Sequence, residues 1–158
     1  MQPEILEGNL LGQPVDCIVN AWNRNIIPWW LLIPQGVSSA IKRQAGLQPF
    51  LEVGRAGPIP LGNAVLTSAG KLPHLGIIHV AGINLLWRAS AASIQGSVRS
   101  AMSIVRSRNF SSVAFPVIGA GSGGFREGAA LALMLEAFAK IESCAQVRII
   151  RFRRHIDT

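Results

Sequence analysis

The chain has 158 residues, 49% of them hydrophobic and only 15% charged, and its 15 Lys and Arg against 8 Asp and Glu give a formal charge of +7. Such a composition excludes a disordered chain and provides enough apolar mass for a real core. The excess of positive charge favours anionic partners such as nucleic acid, nucleotides or phosphorylated protein. Cys17, Cys144 and three dispersed histidines offer neither a disulfide framework nor metal-ligand spacing, so no metal and no cofactor is expected. Both thiols are expected to be buried and reduced. The start Met1-Gln2-Pro3-Glu4 lacks the basic and apolar regions of a secretion signal, and the apolar stretch Ile26 to Ile33, broken by Pro28, is too short to span a bilayer. A cytoplasmic location without membrane contact is therefore expected.

In chain order, Glu4 to Glu7 reads as a short strand closed by Gly8-Asn9. Asp16 to Asn20 is a nearly continuous apolar run of strand length, the pattern of a strand buried on both faces. It leads into Ala21-Trp22-Asn23-Arg24-Asn25, placing polar side chains at the carboxyl end of the strand, where open α/β sheets bind ligands. The prolines of the loop Ile26 to Gly36 forbid a regular helix there. Its Trp29, Trp30 and aliphatic residues must pack on the body, line a pocket or meet a partner. A helix follows from Val37 to Ala45, with Gly46 as its terminator, then a short helix from Gln48 to Val53 and a Gly- and Pro-rich loop over 54–62.

Asn63 to Ser68 and Gly76 to Ala81 are strand-like, and His79 reads as a core histidine rather than a base. His74 and His155 are expected on the surface. Ala89 to Arg108 is a long amphipathic helix with Arg99, Arg106 and Arg108 outward. Ser112 to Val117, Glu127 to Ile141 and Gln146 to Phe152 read as strand, helix and strand, before a basic tail. Alternating strands and helices predict an α/β fold, a three-layer α/β/α sandwich with a mixed, mostly parallel sheet, in one domain over 1–158.

Between Ser112–Val117 and Glu127 lies Ile118-Gly119-Ala120-Gly121-Ser122-Gly123-Gly124-Phe125, with four glycines in six residues. Glycines at this density permit positive φ and close approach of backbone to ligand, so the turn is either a phosphate cradle or merely tight. A P-loop is excluded, because Phe125-Arg126 stands where Lys-Ser/Thr is required. A dinucleotide fingerprint is disfavoured by the late position of the loop and the lack of an acidic residue on a following strand.

Three stretches taken together resemble the macrodomain family. They are Val15 to Asn23, Pro60 to Pro73 continued by Ile77-Ile78-His79-Val80-Ala81-Gly82, and Phe115 to Phe125, in the family's order and over nearly the whole chain. The resemblance implies binding of ADP-ribose, or of a macromolecule carrying it, in a cleft at the carboxyl ends of the strands. It implies that Asn9, with Leu10 beside it, stands in place of an Asp that accepts from the adenine amino group. Asn23 would approach the distal ribose and is the one tentative catalytic residue. Gly36, Val37 and Ser38 would form a first phosphate loop, and Ile118 to Gly124 a second, with Phe125 beside the distal ribose. Two departures stand out. The first loop keeps only Gly36 of its glycines, and Ser38 occupies the position of a carboxylate in many ADP-ribosyl hydrolases of the family. A Ser hydroxyl hardly ionises without a partner and is no substitute for a carboxylate base. Gly123 stands where many members have a second aromatic. Binding is thus the main expectation. The alternatives are an ADP-ribosyl hydrolase of non-standard arrangement, acting on protein, nucleic acid or O-acetyl-ADP-ribose, and a basic nucleic-acid-binding protein.

Overall fold

A computed structural model describes residues 1–31 and 36–152, apart from the side chain of Ser122. Leu32 to Gln35 of the Trp-rich loop, and the tail with Arg153, Arg154 and His155, lie outside the described residues. Six strands form one sheet: β1 (Glu4–Glu7), β2 (Cys17–Trp22), β3 (Ala64–Thr67), β4 (Gly76–Ala81), β5 (Ser112–Pro116) and β6 (Gln146–Arg151). Their order is β1-β6-β5-β2-β4-β3. All neighbours pair parallel except β3 with β4, which is antiparallel. The expected mixed, mostly parallel sheet is therefore present.

Side chains alternate across each strand, and that period sorts the core into two layers. Cys17 and Val19 of β2, Ile78 and Val80 of β4 and Phe115 of β5 pack beneath α3 (Ala91–Ser107) and α4 (Glu127–Ala139). On the other face, Ile18, Trp22, Ile77 and Ala114 pack beneath α1 (Gly36–Ala45) and α2 (Gln48–Arg55). Phe50 of α2 is 1% exposed and meets the Trp22 ring at 5.6 Å, a contact whose burial stabilises the layer by about 1.5–3 kcal/mol. Helix α3 starts at a reciprocal cap, in which Ser90 and Ser93 each accept from the other's backbone N–H. Gly46 ends α1 with φ +81°, as expected of a left-handed terminator.

Several expectations are corrected. Strand β2 continues to Trp22, because Trp22 finds an aromatic seat on α2. Helix α2 runs on to Arg55 through Gly54, which lies against Trp29, where a Cβ would stand 3.0 Å from the indole. Trp29 packs on Phe50 with Lys42 5.5 Å over its ring, whereas Trp30 is 66% exposed. The Trp pair is thus divided between packing and solvent. His74 is buried, not superficial: its ring nitrogens face the carbonyls of Val15 at 2.9 Å and Leu11 at 3.1 Å. Cys17 is buried, and burial pushes its thiol up to about 12, but Cys144 is exposed in the turn after α4.

Candidate functional site

A cleft opens where β1, β2, β5 and β6 end, on both sides of the β5–β2 border. Parallel sheets gather backbone and loop groups at that edge. It encloses about 450 Å³, within the range of small-molecule sites. One wall is the first two turns of α1, which contribute Gly36, Val37, Ser38, Ala40 and Arg43. The opposite wall is Pro116, Val117, Ala120 and Gly121, and the floor carries Asn9, Leu10 and Ala21.

The glycine loop is shaped by positive φ at Gly119 (+91°), Gly121 (+70°) and Gly124 (+82°) around a 3-10 turn at Gly121–Gly123. Gly124 N–H donates to Gly121 and Phe125 N–H to Gly119, which closes the turn on itself. Glycine is required at 119 for a second reason, since a Cβ there would stand 2.5 Å from Ile94 Cδ1. Gly123 is also close-packed: a Cβ there would stand 3.0 Å from Ala89 Cβ.

Asn9, Leu10, Gly36, Val37, Ser38, Ala120 and Gly121 thus come together in one cleft. Gly123, Gly124 and Phe125 line a neighbouring recess of about 500 Å³ with Leu86, Trp87 and Arg88. Ile118 does not face ligand space. It is fully buried, and its N–H donates to Met134 Sδ at 3.3 Å, anchoring the loop to α4. Asn23 stands in a separate apolar slot with Ile26, Ile27, Leu85 and Trp87. Its Oδ1 accepts from Asn25 N–H at 2.7 Å, so the amide is turned into its own loop. Asn9 spends its Oδ1 on Leu11 N–H at 3.1 Å, capping the short turn Leu10–Gly12.

Residues not anticipated also reach the cleft: Gly8, Arg43, Glu127 and Phe152. Arg43 was legible in principle, since residues 36, 40 and 43 share one face of a helix. Arg151 bonds Glu127 and lies 4.0 Å from Glu7, and the Glu127 bond followed by its charge raises the Arg151 pKa. This guanidinium occupies the carboxylates at the rim, whereas Arg43 makes no ion pair among the described residues and donates only to Ser39, at 3.4 Å.

Beneath α1 a buried polar seam crosses the sheet. Ser38 Oγ is 2.9 Å from Asn20 Oδ1, and Asn20 Nδ2 is 3.1 Å from His79 Nδ1. His79 Nε2 is 2.9 Å from Thr67 Oγ1, which in turn donates to the Ser68 carbonyl at 2.9 Å. Beyond it, Glu52 accepts from the Ser68 N–H and hydroxyl, bonds that hold its carboxyl below the usual range. Burial drives the His79 pKa down to about 3, against a weaker upward pull from Glu52. The imidazole is neutral, as the core reading of the sequence has it, and stands in the middle of its strand rather than at its end.

Among the described residues no group of three His, Cys, Asp or Glu could hold a metal, and no helix is long and apolar enough to cross a membrane. A family model described as Macro domain matches residues 19–134. An O-acetyl-ADP-ribose deacetylase of Klebsiella pneumoniae (strain 342) is 34% identical over 135 residues, which is 79% of this chain and 72% of the relative. The Oceanobacillus iheyensis macrodomain with ADP is similar in structure, with TM-score 0.82 at 25% identity, covering 95% of this chain and 83% of that one. A mutant of that macrodomain with ADPR gives TM-score 0.82 at 25% identity, covering 95% and 84%.

Proposed function

The chain belongs to the macro domain family, and from that premise we propose that its cleft binds ADP-ribose, free or carried by another molecule. The observation that carries this reading is the pairing of a helix N-terminus at Gly36–Ser38 with Ala120 and Gly121 of the positive-φ glycine turn across one cavity. Backbone N–H groups from such a turn and from the first residues of a helix cradle a diphosphate, and Arg43 adds a cation at the rim. The adenine lies toward Asn9 and Leu10, and the distal ribose toward Phe125 and Asn23.

Binding without turnover is the reading favoured by position 38, where a hydroxyl stands in place of a carboxylate base. A second reading, hydrolysis, is favoured by the deacetylase name of the Klebsiella relative. It requires a water held near Asn23 and Gly36 and activated by the substrate itself. Incubation with O-acetyl-ADP-ribose and with mono-ADP-ribosylated protein separates the two, with release of acetate and of ADP-ribose followed over time. Stoichiometric binding without release is the expected result; sustained turnover of either substrate establishes the hydrolase.

A further inference from the structure

Strands β2 and β4 run parallel, so the loops that follow them leave the sheet at the same edge. Ile26 and Ile27 of the first loop and Leu85 and Trp87 of the second line one slot outside the cleft. Leu86 stands beside Trp87 in the recess next to the glycine turn. Leu86 is 76% exposed, Leu85 55% and Trp87 45%, and Ile26 and Ile27 are exposed as well. Contiguous exposed apolar surface of this kind marks an interaction site.

The tip of the second loop satisfies its own backbone. Asn84 Oδ1 accepts from the N–H groups of Leu86 at 2.8 Å and Arg88 at 3.2 Å. Trp87 N–H donates to the Asn84 carbonyl at 3.0 Å, Asn84 N–H to the Arg88 carbonyl at 2.9 Å, and Ala89 N–H to the Gly123 carbonyl at 3.0 Å. The turn holds Trp87 at φ +59°, a strained setting for a bulky side chain. Its N–H groups at 84 and 86–89 are thus engaged internally, while the side chains of Leu85, Leu86 and Trp87 stay exposed. An apolar phase accepts a protruding turn on that condition, because an unbonded N–H is costly there.

Charge narrows the choice of partner. Between Asp16 and Glu127 the sequence has one acidic residue, Glu52, which lies on α2 and is bonded to Ser68. The loops over 23–27 and 83–88 carry Arg24 and Arg88 and no acidic residue, and neither arginine forms an ion pair among the described residues. The occupant is therefore anionic and apolar at once. A second copy of this chain would set the same cations against each other. The slot between the loops encloses only about 10 Å³, too little to seat the side chain of a docked peptide. A nucleic-acid strand stacks on rings, which suits Trp87 but leaves the aliphatic residues without a partner. A bilayer with anionic headgroups meets both demands, since aliphatic side chains enter the acyl boundary and guanidinium groups stay at headgroup level. We propose that Leu85, Leu86 and Trp87, with Ile26 and Ile27, dock this chain on the surface of an anionic bilayer, Arg24 and Arg88 lying among the headgroups. The contact is peripheral and spans nothing, and it departs from the expectation of no membrane contact. It does not depend on the ADP-ribose reading, because none of these residues lines the cleft.

The test is flotation of the native chain with vesicles of phosphatidylcholine alone and of equal parts phosphatidylcholine and phosphatidylserine. The chain is expected to float with the mixed vesicles, to bind the neutral ones far more weakly, and to lose affinity as salt is added. Arg88→Ala should weaken binding to the mixed vesicles by about 5-fold, one cation's share at an anionic surface. Leu85→Asp combined with Leu86→Asp should abolish it, each variant being checked for native urea unfolding. Tryptophan emission gives a second readout: mixed vesicles should shift it to shorter wavelength, and the shift should shrink in Trp87→Phe. Absence of flotation by the folded native chain overturns the proposal. So does flotation that survives the double substitution, which would be attraction by net charge alone, and so does an emission shift unchanged in Trp87→Phe. Binding of a single-stranded oligonucleotide or an acidic polypeptide, or dimer formation, that replaces vesicle binding and is lost in the double variant would overturn it in favour of that partner.

Discussion

His79 is fully enclosed between β2, β3 and α2, with both nitrogens bonded and its pKa pushed down to about 3. In the unfolded chain the same group titrates near its ordinary value of about 6.5. Between those values the unfolded state binds the extra proton, so this group's contribution to stability is complete above about pH 6.5 and is lost as pH falls toward 3. The loss approaches about 1.4 kcal/mol per pH unit across that window. Urea unfolding at pH 7 and pH 5 should show a decline that is flatter in His79→Gln; identical slopes would contradict the assignment. The two thiols differ in the same way by environment. Cys144 should react with a thiol reagent in the native chain, and Cys17 only after unfolding, because burial lifts its thiol to about 12. At this scale the sequence was only partly legible. Asn9, Gly36, Val37, Ser38, Ala120 and Gly121, singled out by type and spacing, line one cleft. The side-chain directions were not readable: Asn23 turns its carbonyl into its own loop, Ile118 faces the core, and His74 is held by carbonyls from a turn far away in sequence. Each of those outcomes depends on a neighbour supplied by tertiary packing.

Elements were easier to read than individual side chains, because hydrophobic period and punctuation are local. Strands β1 and β4 coincide with their expected spans, and the remaining elements shift by a few residues at their ends. The shifts have physical causes. Strand β2 is prolonged by the contact of Trp22 with Phe50, and α2 passes through Gly54, where the absence of a Cβ leaves room for the Trp29 ring. Legible too was the glycine turn, but only as a choice between a cradle and a tight bend. Two of its glycines have separable tasks, and this gives a paired prediction. Gly119→Ala combines left-handed strain with a 2.5 Å clash on Ile94 and should cost about 2–5 kcal/mol of stability. Gly121→Ala meets nothing within 4 Å and should cost only the backbone strain, about 1–2 kcal/mol. Thermal or urea unfolding of both variants tests the order. Gly121→Glu places a carboxylate in the proposed diphosphate cradle and should abolish binding while leaving the fold in place.

For the whole molecule, the α/β/α architecture followed from alternating elements and from near-continuous apolar strands, which need cover on both faces. The strand order β1-β6-β5-β2-β4-β3 did not, because pairing is set by long-range contacts that no local pattern encodes. That order matters for function, since it sets β2 beside β5, paired at Cys17 and Ile18 with Val113 and Ala114, and Ala21 and Pro116 beyond that pairing both line the cleft. The net charge of +7 is a property at this scale as well. If it serves an ADP-ribosylated nucleic acid, affinity for that carrier should fall steeply between 50 and 200 mM salt, at values on the order of those used for counterion release. Affinity for free ADP-ribose should change far less over the same range. The central claim concerns the cleft itself, and titration of the native chain with ADP-ribose in a calorimeter tests it most directly. Saturable binding of a single ligand per chain is expected, lost in Gly121→Glu and weakened in Phe125→Ala. Absence of heat and of competition at millimolar ligand, from a chain shown to be folded, would contradict it.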